Sequence, residues 1–547
     1  MLKIPPFVVL ASVAPAMAGT APSPLAEARA PLFALAPDGQ AAAVVPLPLA
    51  DGTPSAFRMV DSRTLPRALM RRIPAMRSFR GEDSAGRTAR LDYAADAARL
   101  SVRDGAGWSH YTVALPSDPS GPASLPMAVR GAPVLAQAQA EEKPWAPWAP
   151  VAASAPVRYE FRLALAAGSR FTAAHGGTRD AALGAIAHVA NRANEIFEND
   201  LGVHFTLAAD SERLVITDPE GDPLRYGEPR SAAVELIDRR LGASAYDLGH
   251  ALLGPDLSGG ESATGTSCSD ARDANLLATH KAAAWSGATD AETAFTGMLF
   301  TLANQLGAPF RPHACWHCLS FDGASIARVR SWLGSRGGRC ARKVLVDATA
   351  PWIDAQSWEE PPMIPARTPF WLDARVEATM PGRHLSYAWD QVDDAPLGPT
   401  SPPAAHSRRE FTSALPATAR WMDYRLTVRD NGGATATWAS MDLRVQVIDT
   451  GRPFAVLPTA DTATASPLVV RWDPAGTTSP PLSCHFVDIA LSRDDGATWQ
   501  PLATGERNDG EATLPVPEGA AAERARLRVA CDWRPFFAES AEPFRIG

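Results

Sequence analysis

The chain has 547 residues, more than one hydrophobic core usually supports, and its 46% hydrophobic and 20% charged residues are typical of a globular protein. The formal net charge is −8 and no block of like charge stands out, which argues against nucleic acid or an anionic membrane as a partner. The 49 prolines favour β-rich, loop-rich modules over helical bundles.

The first twenty residues, MLKIPPFVVLASVAPAMAGT, have the layout of a secretory signal peptide. Lys3 supplies the charged start, residues 7–13 the apolar core, and residues 16–18 a small-x-small cleavage site. We therefore predict that residues 1–18 are a signal peptide and that the chain is exported to the periplasm, the cell surface or the medium. The apolar run is too short to span a bilayer, and no later segment is long enough.

Short alternating runs follow, such as ARLSVRDG (98–105) and HYTVALP (110–116). They predict a small β-rich domain over residues 19–130. Residues 131–156 are rich in alanine and proline, which predicts an extended, exposed linker where the chain could hinge or be cut.

The region 157–345 mixes strands and helices. RYEFRLALAAG (158–168) reads as a strand, and Thr178 caps a predicted helix over Asp180–Asn199. Three further predicted elements are the strands VHFTLA (203–208) and RLVITDP (213–219) and the helix AAVELIDRRLG (232–242). This order predicts an α/β domain, with His188 as a partly buried packing residue and His204 solvated on the polar face of its strand.

From residue 346 onward the helical patterns disappear. LSYAWDQVDD (385–394), DYRLTVRDNGG (423–433) and MDLRVQVID (441–449) predict an Ig-like or PKD-like β domain over residues 346–450. A second β-sandwich module is predicted over residues 451–547. The expected fold class is therefore multidomain, α+β and all-β: an N-terminal β-rich domain, a central α/β domain and two Ig-like modules.

Six cysteines in an exported protein predict disulfides. Cys484 and Cys531 lie in strand-like stretches of the last module, so we predict that they pair. The other four permit three pairings, which the sequence leaves open: Cys268, Cys315, Cys318 and Cys340.

Several stretches resemble one family. YEFRLALAAGSRFTAAHGG (159–177) and NRANEIFENDLGVHFTLAADSERLVITDP (191–219) resemble the start of the reprolysin-like metallopeptidase domain of exported bacterial proteins. YDLGHALLG (246–254) resembles the strand before that family's active-site helix. IPAMRSFRG (73–81) is similar to its pro-region, and IPARTPFWL (364–372) and VDIALSRDDG (487–496) are similar to its following modules. The resemblance implies a metzincin fold for residues 157–345, a pro-like role for residues 19–130, and zinc endopeptidase ancestry.

The family's zinc motif is H-E-x-x-H-x-x-G-x-x-H, in which three histidines bind zinc and the glutamate is the general base. Laid on FTLANQLGAPF (300–310), the ligand positions hold Phe300, Asn304 and Phe310, the base position holds Thr301, and Gly307 alone matches. The family's methionine turn is also missing. These departures predict no zinc, no catalytic residue and a non-catalytic module that binds an extracellular protein or peptide. The other interpretation is an ordinary core helix unrelated to a zinc site.

Two further functions stay open. One is an active zinc endopeptidase with a rearranged ligand set, in which His313 and His317 of HACWHC would act with His250 or His280. The other is a structural surface component without a specific peptide ligand. A disulfide is the favoured interpretation of the two cysteines in HACWHC. The acidic loop DPEGDP is interpreted as a turn, with Ca²⁺ binding as the alternative through Asp218, Glu220 and Asp222.

Overall fold

The structure is a computed structural model that describes residues 24–37, 39–104, 107–115, 150–153, 157–225, 228–254, 259–271, 279–287, 291–308, 320–354, 360–393, 405–463 and 467–547. The predicted signal peptide lies outside these residues, as does the predicted linker apart from residues 150–153. The chain forms two compact units. The first comprises Met1–Ala136, Ala155–Ala348 and Gly432–Ala436, and the second comprises Gln137–Ser154, Thr349–Asn431 and Thr437–Gly547.

The first unit begins with an antiparallel sheet and three short helices. In chain order the elements are α1 (Pro24–Glu27), α2 (Arg29–Phe33), β1 (Ala42–Pro48), β2 (Pro54–Asp61), α3 (Arg67–Arg72), β3 (Arg77–Asp83), β4 (Thr88–Tyr93), β5 (Ala97–Asp104) and β6 (Gly107–Ala114). The six strands pair in sequence order, so each strand is bonded to its neighbours along the chain. We call residues 24–115 the N-terminal domain.

The second part of the first unit is built on a mixed sheet. After β7 (Pro150–Ala153), which pairs within the second unit, come β8 (Val157–Ala167), α4 (Ser169–Ala174), α5 (Arg179–Leu201), β9 (Val203–Leu207), α6 (Pro229–Leu241), β10 (Leu248–Leu253), β11 (Gly260–Ser262), β12 (Ala284–Gly287), α7 (Ala291–Gln305), α8 (Gly323–Trp332) and β13 (Arg342–Leu345). The strand order is β11-β12-β10-β8-β13, with β9 also paired to β8. Strands β8, β9, β10 and β12 are mutually parallel, whereas β11 and β13 run antiparallel to their partners.

Helix α5 lies inside the first unit, and every residue from Ala181 to Leu201 is buried. The Thr178 side chain accepts a hydrogen bond from the Ala181 amide at the start of α5, and Gly202 ends the helix in the left-handed conformation. One side of α5 packs on its own sheet and on α7, and the other contacts β3, β4 and β5 of the N-terminal domain. A helix covered on all sides must satisfy its polar side chains internally, which explains the buried network described below.

The two faces of the N-terminal sheet differ in character. On β4, Ala89, Leu91 and Tyr93 alternate with Thr88, Arg90 and Asp92, because successive strand residues point to opposite faces. The apolar set joins a hydrophobic cluster with α1 and α2 whose buried members all lie between residues 25 and 113. The polar set faces α5. The N-terminal domain therefore has a core of its own and a polar surface against its neighbour.

The second unit is β-rich. It contains β14 (Trp352–Ile353), β15 (Met363–Pro365), β16 (Phe370–Leu372), β17 (Val376–Glu377), β18 (Ser386–Gln391), β19 (Arg409–Phe411), β20 (Arg420–Arg429), β21 (Trp438–Ile448), β22 (Ala455–Val456), β23 (Leu468–Asp473), β24 (Phe486–Ser492), β25 (Gln500–Arg507), β26 (Glu511–Leu514), β27 (Ala522–Cys531), β28 (Phe537–Glu539) and β29 (Phe544–Ile546). One hydrophobic cluster extends from Ile364 to Ile546, so both predicted modules contribute to a continuous core.

Two disulfides join described residues. Cys484 pairs with Cys531, which links the segment before β24 to the end of β27, and Cys268 pairs with Cys340. The second bridge pairs two of the four central cysteines. Cys315 and Cys318 lie outside the described residues.

Two local predictions are wrong. The segment RLVITDP, predicted as a strand, begins in the short 3₁₀ helix Ser211–Leu214 and adds only a single bridge at Val215. His204 is buried rather than solvated, because Glu198 of α5 and the Arg63 carbonyl cover its ring. In the part of the chain that the structure describes, no helix combines the length and apolar character needed to cross a bilayer.

Candidate functional site

Helix α7, which carries the candidate motif, is anchored by a fully buried apolar stripe. Its members are Phe295, Met298, Leu299, Leu302 and Leu306. Phe300 and Asn304 are half-buried and lie one turn apart on another face. Asn304 follows Phe295 by about two and a half turns, so the two side chains leave the helix on opposite sides. Phe310, the third ligand position, lies outside the described residues.

Thr301, at the general-base position, takes part in a buried hydrogen-bond chain. Its hydroxyl lies 3.0 Å from the Gly297 carbonyl oxygen and 3.1 Å from His250 Nδ1, and His250 Nε2 lies 2.9 Å from Ser286 Oγ. The chain is fully satisfied if Thr301 donates to Gly297, His250 Nδ1–H donates to Thr301, and Ser286 donates to Nε2. Burial lowers the pKa of His250 to about 3, so its ring is neutral at physiological pH.

The end of α7 is closed by a glycine turn. The Ala308 amide donates to the Ala303 carbonyl and the Gly307 amide donates to the Asn304 carbonyl, which is the Schellman pattern. Gly307 has φ +100°, and a Cβ there would lie 2.8 Å from Trp332 of α8. The one matching motif residue therefore has a structural role that needs no metal.

The segment after β11 covers the last turn of α7. Ser262 Oγ donates to the Thr301 carbonyl at 3.1 Å, the Gly265 amide donates to the Asn304 carbonyl at 2.8 Å, and the Ser267 amide donates to Gln305 at 3.0 Å. The bond to the Gln305 carbonyl satisfies a group that the helix end would otherwise leave without a partner, and the other two are additional contacts to the last turns of α7. The end of α7 is consequently fixed by backbone contacts.

The residues at the motif positions do not fit a zinc ion. Phenylalanine offers no donor atom and asparagine is a poor zinc ligand, whereas structural and catalytic sites use histidine, cysteine or carboxylate groups. Both ring nitrogens of His250 are engaged with hydroxyl groups. His280 is buried, and its Nδ1 accepts the Ala282 amide at 3.2 Å. The remaining candidates of the rearranged set, His313 and His317, lie outside the described residues.

Other metal candidates also have structural roles. Asp222 of the acidic loop accepts hydrogen bonds from the Ser169 amide and hydroxyl, both at 2.7 Å, at the start of α4. Asp218 accepts from the Glu220 amide within the loop. Within the described ranges, the one group of three close donor side chains contains Cys484 and Cys531, whose sulfur atoms are bonded to each other.

A dense cluster of ionisable side chains lies elsewhere, between the polar face of the N-terminal sheet and α5. We call it the α5 interface; it contains Arg90, Asp92, Ser101, His110, His188, Asn191, Arg192, Glu195 and Glu198. Arg90 Nε lies 3.2 Å from Glu195, and Arg90 Nη2 lies 3.2 Å from Glu198. His204 Nδ1 lies 2.7 Å from the other oxygen of Glu198. Burial raises the pKa of Glu198, but the His204 hydrogen bond and the Arg90 charge outweigh it and lower the pKa overall.

A chain of hydrogen bonds crosses the same interface. Asp92 Oδ2 lies 2.8 Å from His188 Nδ1, His188 Nε2 lies 2.9 Å from Ser101 Oγ, and Ser101 Oγ lies 2.8 Å from His110 Nδ1. Asp92, His188 and Ser101 thus have the order of a hydrolase triad. All three are at most 4% exposed, so a substrate has no access to the hydroxyl. The sequence signal missed here was the alternation of β4 and β5, whose polar face is covered.

Comparisons with known proteins bear on the central region. The profile described as “Metallo-peptidase family M12B Reprolysin-like” matches residues 158–308, from the start of β8 to the turn after α7. Residues 158–308 are a reprolysin-like domain. The N-terminal domain and the second unit lie outside the match. No curated protein matches the sequence.

Solved structures align over 37% of the chain. They include “Sidekick-1 immunoglobulin domains 1-5” (13% identity, TM-score 0.14), “Protocadherin gammaB7 EC3-6 cis-dimer structure” (16%, 0.16) and “Crystal structure of the titin domains z1z2 in complex with telethonin” (10%, 0.13). The alignments cover 38%, 54% and 98% of those chains, so this chain spans about two-fifths and one-half of the first two. TM-scores this low do not establish a shared fold.

Proposed function

We propose that the chain is an exported, non-catalytic relative of reprolysin-like metallopeptidases that binds an extracellular protein or peptide. The observation that carries the proposal is the state of α7. The positions that would hold zinc ligands carry Phe300 and Asn304, and the position of the general base carries Thr301, whose hydroxyl is bonded to His250 and to the helix backbone.

The chemistry of these residues supports the loss of hydrolysis. A zinc peptidase needs a metal to lower the pKa of water and a carboxylate to accept its proton. Neither requirement is met at positions 300, 301 and 304. His250 is the titratable group that contacts Thr301, and its burial and its bonds to two hydroxyls prevent it from acting as a base on a substrate.

A binding role is supported by exposed aromatic side chains on the second unit. Trp352, Trp421 and Trp533 are 52%, 45% and 50% exposed. Trp533 is held in place, because its Nε1 donates to the Ser483 carbonyl at 3.2 Å and the Arg534 guanidinium lies 3.8 Å from its ring centre. Rigid, exposed indole rings are enriched at protein interfaces. Disulfides and the absence of a membrane-spanning helix among the described residues are compatible with an extracellular location.

The first test is metal content and proteolysis of the purified full-length chain. We expect less than one-tenth equivalent of zinc by mass spectrometry and no chelator-sensitive cleavage of casein or gelatin, because the motif positions hold no histidine, cysteine or carboxylate. Immobilised protein should nevertheless retain uncleaved gelatin, and this retention should weaken when Trp421 and Trp533 are replaced by alanine.

The matched comparison is Phe300→His/Asn304→His, which places two imidazoles one helical turn apart. This variant should bind zinc more tightly than the natural chain, whereas Phe300→Gln/Asn304→Gln should not. Stoichiometric zinc in the natural chain together with chelator-sensitive cleavage would instead establish an active peptidase with a rearranged ligand set. Failure to retain gelatin would favour a structural surface component.

A further inference from the structure

Two features of the N-terminal domain would allow it to separate from α5: it has its own hydrophobic core, and its face toward α5 is polar. Its hydrophobic cluster draws no buried member from outside residues 25–113, so its core does not depend on α5. The face that it presents to α5 is polar, as at interfaces between domains that can separate. Both surfaces of the α5 interface carry charged and polar side chains that water can solvate after separation.

Ion pairs hold the two sides together at neutral pH. Arg90 of the N-terminal domain is 3% exposed and bridges Glu195 and Glu198, which are each 1% exposed. Asn191 adds hydrogen bonds of 3.1 Å to Asp92 and 3.0 Å to the Phe79 carbonyl. Because each of these groups has its partner across the interface, the two surfaces can stay in contact without an unpaired buried charge as long as the protonation states are kept.

The hydrogen-bond chain through His188, Ser101 and His110 makes the protonation states at this interface sensitive to pH. A consistent assignment has His188 Nδ1–H donating to Asp92 and His188 Nε2 accepting from the Ser101 hydroxyl, while His110 Nδ1–H donates to Ser101 and His110 Nε2 accepts from Arg192 at 3.3 Å. Both imidazoles are then neutral. A proton added to His188 Nε2 would meet the Ser101 hydroxyl, which already donates to that nitrogen. A proton added to His110 Nε2 would meet the Arg192 guanidinium.

The surroundings of His188 include charged groups on β4, β5 and α5. Asp92 of β4 favours the protonated ring, whereas Arg99 of β5 and Arg192 of α5 oppose it, and His110 of β6 is linked to it through Ser101. Burial is the largest effect and lowers the pKa of His188. Below pH 6.5 the separated surfaces therefore bind a proton that the intact interface excludes, so acid favours separation.

We propose that the N-terminal domain is an acid-releasable partner of the reprolysin-like domain: after a cut in residues 116–149 it stays bound at neutral pH and dissociates faster in mild acid. This proposal is independent of zinc binding. Trp108 of β6 contacts Phe295 of α7 at a ring-centroid distance of 6.4 Å, on the side of the helix opposite Asn304. This contact therefore does not cover the side of α7 that carries Asn304.

The test uses the full-length chain with a site-specific protease sequence inserted between residues 116 and 149, cut after folding and immobilised by its C-terminus. We expect the N-terminal fragment to remain bound at pH 7.5. Between pH 7.5 and 5.0 its dissociation should accelerate by up to about thirty-fold, which is the limit for one proton that the separated His188 binds with its ordinary pKa of 6.5 and the intact interface excludes. His188→Gln, which keeps amide hydrogen bonding without a charge, should flatten this dependence.

The matched control is His406→Gln, at an exposed position of the second unit, which should keep the natural pH dependence. Loss of the fragment at pH 7.5 in the natural chain would overturn the proposal, and so would a dissociation rate at pH 5.0 equal to that at pH 7.5. Equal pH dependence in the natural chain and in His188→Gln would refute the histidine chain as its origin.

Discussion

The α5 interface and the second half of α7 differ in the side chains that they hold. The family resemblance implies that the catalytic residue types should lie on α7, but they lie at the α5 interface. The interface holds arginine, glutamate, aspartate, histidine and serine within hydrogen-bonding distance of one another, although no substrate can reach them. Positions 300, 301 and 304 of α7, where zinc and the base would lie, hold a phenyl ring, a hydroxyl and an amide. Catalytic residue types therefore do not mark an active site unless access and donor geometry accompany them.

The difference has a physical origin. Helix α5 is covered on both sides, so each polar side chain that it carries needs a hydrogen-bond partner inside the protein. Its charged side chains need partners of opposite charge, because an unpaired buried charge is strongly destabilising. Helix α7 needs no such network, because Thr301 bonds to His250 and to its own helix and the remaining stripe is apolar. The comparison predicts that charge removal is severe at the interface and that hydroxyl removal is mild on α7.

The largest effect is expected for Arg90→Met. It leaves Glu195 and Glu198 buried with a charge partner removed, and we expect the free energy of opening of α5 to fall by about 3–5 kcal/mol. Hydrogen exchange of the α5 amide groups measures this free energy. Arg58→Met, at an exposed position on β2 of the same sheet, should change it by less than about 0.5 kcal/mol.

A rescue variant strengthens the same prediction. Adding Glu195→Gln and Glu198→Gln to Arg90→Met removes the unpaired charges, so part of the loss should be recovered. If Arg90→Met cost no more than Arg58→Met, the interface would not depend on paired buried charge and the contrast with α7 would be lost.

The sequence predicted the elements better than their surroundings. The 3.6-residue spacing and the Thr178 cap predicted a helix over Asp180–Asn199, close to the observed α5, and the apolar stripe of α7 is buried as its spacing indicates. Alternation over residues 98–105 predicted β structure, and these residues form most of β5. It could not show that α5 covers the polar face, because a covered polar face and a solvated one share the same pattern.

For the candidate site, the sequence likewise predicted which residue types are present but not which side chains contact one another. Residue types alone show that positions 300 and 304 lack the histidines of the zinc motif. The bond between Thr301 and His250 joins residues 51 apart in sequence, and no local pattern identifies it. His204 was misassigned for a related reason: Glu198 is only six residues away, but the Arg63 carbonyl that also covers the ring lies 141 residues away, in the N-terminal domain.

An intermediate effect is expected for Gly307→Ala. Alanine is disfavoured at φ +100°, and its Cβ would lie 2.8 Å from Trp332, so α7 should lose about 1–3 kcal/mol of stability by hydrogen exchange. Gly334→Ala is the control, because a Cβ there meets no atom within 4 Å. If both variants changed the stability of α7 by the same small amount, the turn would not require glycine at position 307. The match of Gly307 to the zinc motif would then have no structural explanation.

The smallest effect is expected for Thr301→Val, which tests whether the hydroxyl at the former base position has a structural role. Valine keeps the shape but leaves His250 Nδ1 without the hydroxyl that it contacts, so we expect a loss of about 1–2 kcal/mol in α7 stability. Thr296→Val on the same helix is the matched control, since the buried Thr296 hydroxyl has no hydrogen-bond partner among the described residues and its removal should be neutral or stabilising. Equal effects of the two substitutions would show that the Thr301–His250 bond contributes nothing to holding α7 against β10.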